Sequence, residues 1–179
     1  MRFPTRAAIG ALLAAQMAHA ATTLDLVGPI SEYKLYVSEQ VDELVSDTEA
    51  FVAAIKAGDV AGAKALFAPT RIHYESIEPI AELFSDLDVS IDSRADDHEQ
   101  AEADPAFTGF HRLEYGLWET GTTEGLDPIA DKLLADVREL AGRIEGLTFP
   151  PEVVVGGAAA WLEEVAATKI CGDEDRDSN

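Results

Sequence analysis

The stretch PISEYKLYVSEQVDELVSDTEAFVAAIKA, residues 29–57, decides the fold class of this chain. Its apolar residues recur mostly at the three- and four-residue spacing of one helix face, whereas no useful length of the sequence alternates apolar and polar residues as a half-buried strand would. The apolar side consists of Leu35, Val41, Leu44, Val45, Phe51 and Val52. Pro29 and Ser31 suit the start of a helix, and Gly58-Asp59 suits its end. The segment therefore predicts a long amphipathic α-helix.

A second helix is predicted from Val60 to about Phe84. Pro69 and Pro79 lie inside it. Because proline removes a backbone donor and its ring collides with the preceding turn, we expect a kink or a break. The acidic stretch 85–104 that follows predicts a loop with at most a short helical turn.

Three further helices are predicted downstream. The third covers residues 104–118, with Pro105 in its first turn, where a missing N–H costs nothing. The fourth runs from 127 to about 144 and the fifth from 150 to about 170, each with apolar residues at helical spacing. Short links between successive helices favour an all-α fold, an up-and-down helical bundle.

Residues 1–20 predict a signal peptide. Arg2 and Arg6 form a short basic region, residues 7–17 form an apolar region too short to span a bilayer, and residues 18–20 read Ala-His-Ala, which is typical of a cleavage site. We therefore expect Sec-type export to the periplasm of a soluble domain comprising residues 21–179.

The composition is strongly acidic. The chain has 34 Asp and Glu against 13 Lys and Arg, a formal net charge of −21. This charge excludes non-specific nucleic-acid binding and attracts cations, although an acidic surface also serves simply to keep an exported protein soluble. No later apolar run is long enough for membrane insertion.

Cys171 is the only cysteine, so no internal disulfide can form, but the thiol could link two chains in a homodimer.

The second helix carries a stripe of carboxylates. Glu75, Glu78 and Glu82 follow one another at i, i+3 and i+7, which places them on one helix face. Three like charges repel one another unless a cation lies among them or water surrounds them. Arg71, four residues before Glu75, offers an ion-pair partner that requires no metal. A solvated helix face and a cation site both remain open. His73 points away from this face.

The third helix carries GFHRLEYGLW, residues 109–118. His111 and Glu114 lie one turn apart, about 60° around the helix axis, and therefore project from nearly the same face. An imidazole nitrogen beside a carboxylate oxygen can chelate iron, copper or zinc. If the second and third helices pack antiparallel, this pair could meet Glu75 and Glu78 across the bundle.

These residues belong to an ordered set of motifs. The set is YESIEPIAE at 74–82, DLD at 86–88, IDSRADD at 91–97, GFHRLEYGLW at 109–118 and ATKICGDEDR at 167–176. In this order the motifs closely resemble the imelysin-like family and, within it, the EfeO-type periplasmic proteins of the ferrous iron uptake system.

The resemblance implies a helical bundle with a metal site built on the family's His-x-x-Glu motif. On this chain that motif is His111 and Glu114, and Glu75, Glu78 and the loop residue Asp96 are the candidates to complete the site. The implied metal is iron, as Fe²⁺ or Fe³⁺, with copper or zinc as alternatives. The implied partners are an inner-membrane iron permease and a haem-peroxidase-like protein.

The chain departs from the family pattern at both ends. It resembles the short form without a cupredoxin domain, and it stops where the family domain usually continues into a second helical half. A partial imelysin-like domain over residues 21–179 is therefore expected. Three alternatives to iron capture stay open: an imelysin-type metallopeptidase, a cation-bridged binder of a polysaccharide such as alginate, and a truncated remnant without function. The sequence lacks His-Glu-x-x-His and has only four histidines, which argues against an enzyme.

Overall fold

The computed structural model describes residues 25–167, and every regular element in this part of the chain is helical. The α-helices are α1 (Val27–Lys56), α2 (Val60–Ala81), α3 (Ser85–Asp92), α4 (Gly109–Tyr115), α5 (Asp127–Glu145) and α6 (Pro151–Val165). A π-helical turn, Gly116–Thr120, extends α4. The predicted all-α helical bundle is confirmed. The predicted signal peptide, Cys171 and the expected end of the fifth helix near residue 170 lie outside the described residues.

The core lies between α1, α2 and α5. Helix α1 packs along both α2 and α5, α3 and α4 pack on α5, and α6 packs on α2. Phe51, Phe67 and Phe110 meet at the centre with ring centroids 5.9 to 6.4 Å apart, which joins α1, α2 and α4 through one aromatic cluster. Such rings dominate the apolar area that a core of this size removes from water.

The first and fourth predicted helices have nearly the expected bounds. Helix α1 ends at a turn in which Gly58 has φ +76°, and the Asp59 side chain caps α2 by accepting a hydrogen bond from the Gly62 N–H at 2.8 Å. Pro128 lies in the first turn of α5, as expected. Leu35 was expected on the apolar side of α1, but its side chain is 72% exposed because it lies on the face turned away from α2 and α5.

A kink or a break was expected in the second helix, and the break is wrong. Helix α2 runs continuously through Pro69 and Pro79 and gives way to a 3₁₀ turn only at residues 82–84. Proline removes one backbone hydrogen bond at each site, whereas the buried side chains on both sides of it, including Phe67, Tyr74 and Ile77, hold the helix against its neighbours.

The predicted loop at 85–104 is also partly wrong. Its first eight residues form α3, because Leu87 and Ile91, four residues apart, are both buried. Conversely, the third predicted helix begins at Gly109 rather than at 104, and Pro105 lies in a turn before it. In residues 25–167 no helix is both long and apolar enough to cross a membrane.

Candidate metal centre

A close backbone contact brings α3 and α4 together at the site. Gly109, the first residue of α4, has φ +75°, a conformation that side-chain-bearing residues rarely adopt. A Cβ atom at this position would lie 2.0 Å from the carbonyl oxygen of Ile91 and 2.7 Å from that of Ser90. Only glycine allows α4 to start against the last turn of α3. This contact sets His111, two residues later, beside Asp92 at the end of α3.

His111 is buried and both of its ring nitrogens have partners. Its side chain is 6% exposed. Nδ1 lies 2.7 Å from Oε2 of Glu114, and Nε2 lies 2.8 Å from Nη1 of Arg71. Because a guanidinium N–H can only donate, Nε2 must accept, and Nδ1 then carries the proton that is donated to Glu114. The ring is therefore neutral, and its one lone pair points at Arg71.

Arg71 links three parts of the site. Its side chain is 4% exposed and extends from α2 toward α3 and α4. Nη1 donates to Oδ1 of Asp92 at 2.7 Å, and Nη2 forms an ion pair with Glu75, four residues along α2. The guanidinium carbon lies 5.9 Å from the centre of the Phe110 ring. A buried charge requires this kind of pairing and hydrogen bonding, since an unpaired guanidinium would lose its hydration without replacement.

Asp92 is the carboxylate most affected by its surroundings. Its side chain is 16% exposed, and burial raises the pKa of Asp92 to about 6, against the opposing effect of the Arg71 charge. Oδ1 of Asp92 lies 3.7 Å from Nε2 of His111. Glu75 and Asp92 pair with the guanidinium, and Glu114 contacts the His111 ring to which the guanidinium donates. Three carboxylates in this cluster against one guanidinium leave an excess of negative charge that favours cations.

A second polar group lies beside this cluster. Tyr74 is fully buried on α2, and its hydroxyl donates to Oδ1 of Asp88 at 2.6 Å. Burial, together with the nearby carboxylate of Asp88, raises the pKa of Tyr74 well above its usual value. Glu78, also buried, accepts a hydrogen bond from the indole N–H of Trp161 on α6 at 2.8 Å.

The five residues predicted for the metal site lie in three settings. His111 and Glu114 contact each other directly, and Glu75 joins them through Arg71. Glu78 lies one turn beyond Glu75 on α2 and contacts Trp161, and Asp96 lies in an exposed 3₁₀ turn. Among residues 25–167 no three His, Cys, Asp or Glu side chains are spaced to hold one metal ion together. Instead, His111, Asp92 and Glu75 each contact the Arg71 guanidinium.

Sequence reasoning placed Arg71 beside Glu75 but missed both Asp92 and the contact between Arg71 and His111. Asp92 was assigned to a loop, and a loop gives no basis for choosing which of many acidic residues turns inward. The available signal was the spacing of Leu87 and Ile91, which predicts a short helix whose end places Asp92 near the core. As predicted, His73 points elsewhere, with Nδ1 2.9 Å from Oε1 of Gln40 on α1.

The arrangement has the donors that a metal-binding protein uses. One nitrogen of the His111 imidazole is held by the Glu114 carboxylate, and further carboxylates lie close by. This resembles the carboxylate–histidine–metal arrangement, in which the carboxylate on one ring nitrogen fixes the orientation of the ring and the other nitrogen binds the metal. Carboxylate oxygens with a single imidazole suit iron and manganese ions. Zinc more often binds to sets rich in cysteine or histidine. The chemistry of these donors therefore suits iron or manganese, and the Arg71 guanidinium lies among them.

Comparison with known proteins gives consistent matches over most of the chain. Residues 29–178 match the family model described as Imelysin, a family that carries a peptidase label. The chain is 64% identical over 172 residues to the iron uptake system component EfeM of Pseudomonas syringae pv. syringae, covering 96% of this chain. It is 65% identical over 151 residues to the iron uptake system component EfeO of Yersinia pseudotuberculosis, covering 84% of this chain.

A third relative gives the same result, and all three are longer than the matched region. The chain is 60% identical over 165 residues to the iron uptake system component EfeO of Escherichia coli, covering 92% of this chain. The matches span 60% of the Pseudomonas protein, 40% of the Yersinia protein and 44% of the Escherichia coli protein. Because the family model covers most of the sequence, this chain belongs to the imelysin family.

Proposed function

We propose that this chain is a metal-binding component of a periplasmic iron uptake system and that His111 and Glu114 form the centre of its iron site. Its relatives at 60–65% identity are named as iron uptake components. Iron is the cargo in this account and not a resident cofactor. Since the chain matches only part of the length of these relatives, their role in uptake is part of the proposal.

The buried pair His111–Glu114 is the observation that carries the proposal. Glu114 accepts the Nδ1 proton at 2.7 Å, so the lone pair is on Nε2, where it meets Nη1 of Arg71 at 2.8 Å and Oδ1 of Asp92 lies 3.7 Å away. A carboxylate in this position raises the basicity of the imidazole and fixes its orientation, and both effects strengthen a metal bond at Nε2.

Glu75, Glu78 and Asp96 complete the proposed set of metal-binding residues. Glu75 is half-buried on α2 and is joined to His111 through Arg71. Glu78 would have to give up its hydrogen bond from Trp161 to act as a ligand, and Asp96 would have to turn inward from its exposed position. Asp92 is the more direct candidate for a ligand beside His111, because its Oδ1 already lies 3.7 Å from Nε2.

A binding role suits these residues better than catalysis does. A zinc peptidase needs typically three protein ligands, an open water position and a general base. The sequence lacks His-Glu-x-x-His, and the His111 ring directs its lone pair at a guanidinium rather than at a substrate cleft. We therefore infer that the peptidase label of the family does not describe an activity of this chain.

Partners and location follow from the same proposal. An uptake component that carries iron must deliver it, and the partners implied by the family resemblance are an inner-membrane permease and a haem-peroxidase-like protein. Periplasmic location rests on the signal peptide predicted at residues 1–20. Co-purification of a tagged chain with the permease from membranes, in the presence of iron, tests the first of these partners.

The iron site itself is tested by titrating residues 21–179 with ferrous iron under anaerobic conditions, and then with ferric iron, copper and zinc. Wild-type protein should bind iron saturably, and the His111→Ala/Glu114→Ala double variant should lose this binding while circular dichroism remains helical. His73→Ala is the matched control, because this histidine lies on α2 but contacts Gln40 on α1. Equal iron affinity of the wild type and the double variant would contradict the proposal.

A further inference from the structure

The Arg71 guanidinium occupies the position that a metal ion would need. It donates to Nε2 of His111 at 2.8 Å and to Oδ1 of Asp92 at 2.7 Å, and it forms an ion pair with Glu75. These contacts come from three elements, α2, α3 and α4. A bound metal ion is likewise held by donors from several elements. Since the side chain is 4% exposed, this guanidinium is a built-in part of the interior and not a surface charge.

A metal and Arg71 cannot use Nε2 at the same time. A neutral imidazole has one lone pair, and it lies in the plane of the ring. A metal bound there would lie about 2 Å from Nε2 along the direction of that lone pair. The Nη1 atom of Arg71 already lies on this side of the ring, 2.8 Å away, so the two would overlap. Their like charges would add a strong repulsion at such short range.

We propose that Arg71 is an internal competitor for the metal and that iron binds by exchange with its guanidinium, an inference that rests on the iron site proposed above. When iron enters, the guanidinium leaves Nε2 and Asp92, and the metal takes over their lone pairs. When iron leaves, the guanidinium returns, and the buried carboxylates are not left without a counter-charge. Arg71 thus weakens the affinity for iron and makes its release less costly.

This exchange lets a protein that carries iron both bind the metal and release it. A site of carboxylates and imidazole without a competing cation would hold iron tightly and would keep mutually repelling carboxylates buried after each delivery. With Arg71, the observed Kd equals the intrinsic Kd divided by the fraction of molecules in which the guanidinium is displaced. If that fraction is about 1–10%, as is common for minor conformations, the competition weakens iron binding about 10- to 100-fold.

Removing the competitor tests the inference. Arg71→Met keeps a long apolar stem without the charge, so it should bind ferrous iron at least about tenfold more tightly than the wild type. Arg138→Met is the matched control, because Arg138 forms an exposed ion pair with Glu49 and should leave the affinity unchanged. Unchanged or weaker binding by folded Arg71→Met, alongside wild-type binding that requires His111, would overturn the inference but leave the proposed function intact. Absence of His111-dependent binding in the wild type would instead overturn both.

Two measurements keep the test decisive if Arg71→Met folds poorly. In Arg71→Ala, guanidinium ion at millimolar concentration should fill the vacated space, raise the melting temperature and weaken iron binding in proportion to its concentration. In the wild type, saturating iron should increase the rate at which phenylglyoxal modifies Arg71, measured by mass spectrometry of the peptide, while Arg138 reacts at an unchanged rate. No effect of guanidinium on iron binding, or no change in Arg71 reactivity, would contradict exchange.

Discussion

Nη1 of Arg71 lies 2.8 Å from Nε2 of His111, deep in the contact between α2 and α4. This hydrogen bond fixes the tautomer of the ring, because it forces Nδ1 to carry the proton that Glu114 accepts. The same bond explains why carboxylates from three helices converge without forming a ready metal site among the described residues. The cation among these donors is a guanidinium, and the donors are the imidazole and carboxylate groups that iron and manganese sites use.

The first prediction concerns Gly109, which sets the position of His111. Gly109→Ala should destabilise the protein by about 3 kcal/mol or more, since it adds a collision with the Ile91 carbonyl to the strain of a positive φ. Gly121→Ala is the control: Gly121 also has a positive φ, but nothing lies within 4 Å of its added Cβ, so it should lose only about 1 kcal/mol. Urea unfolding measures both. Equal losses would show that the contact between α3 and α4 is not tight.

The second prediction concerns the pH dependence of stability in metal-free protein. Asp92 has its pKa raised to about 6 in the folded state, above its usual 3.8, so the folded protein holds this proton more strongly than the unfolded chain does. The contribution of Asp92 to stability is therefore greatest below pH 4 and falls as the pH rises to about 6, by about 3 kcal/mol.

Replacing Asp92 isolates this effect from the other carboxylates. The stability of wild type minus that of Asp92→Asn should decrease between pH 4 and pH 7, when both are measured by urea unfolding with chelator present. The charged groups that act on Asp92 in this comparison are Arg71, Glu75 and Asp88. A difference that stays constant or grows with pH would show that burial does not dominate the titration of Asp92.

The third prediction concerns the role of Glu114. Glu114→Gln keeps an oxygen that can accept the Nδ1 proton of His111 but removes the negative charge, whereas Glu114→Leu removes the acceptor altogether. Loss of a carboxylate that orients a ligating histidine typically weakens metal affinity about 10- to 100-fold, so Gln should fall within this range and Leu should be weaker still. Isothermal titration with ferrous iron measures the order. Identical affinities for the two variants would mean that Glu114 does not act through the His111 ring.

The fourth prediction tests whether Glu78 leaves Trp161 to bind metal. The sequence has two tryptophans, Trp118 and Trp161, so Trp118→Phe leaves only the indole that donates to Glu78 at 2.8 Å. Zinc, which is redox-inert, should shift the emission of this variant if Glu78 becomes a ligand, because the indole N–H loses its acceptor. Trp161→Phe, which retains Trp118, serves as the control. Saturable zinc binding without a shift would remove Glu78 from the ligand set.

Much of the fold could be predicted because local signals and tertiary packing agree. In α5 an N-terminal proline and regular apolar spacing gave bounds within a residue of those observed. In α2 they disagreed: Pro69 and Pro79 argue locally for a break, but burial of Phe67, Tyr74 and Ile77 keeps the helix continuous. Burial depends on neighbours that are distant in sequence, and a local pattern does not contain them.

Only the local part of the site could be predicted from the sequence. The spacing of His111 and Glu114 correctly predicted that they share a helix face, because that relationship depends only on helix geometry. The contacts of Arg71 with His111 and Asp92 join residues 40 and 21 positions apart, and they depend on how α2, α3 and α4 pack. Local periodicity cannot supply that packing, so the resident cation could not be identified from the sequence.

The most direct test of the central claim is anomalous diffraction at the iron absorption edge from crystals of residues 21–179 loaded anaerobically with ferrous iron. We expect one strong peak about 2 Å from Nε2 of His111, near Asp92 and Glu75, with the Arg71 side chain moved away from the ring. A peak elsewhere on the protein, with Arg71 still donating to His111, would contradict the account.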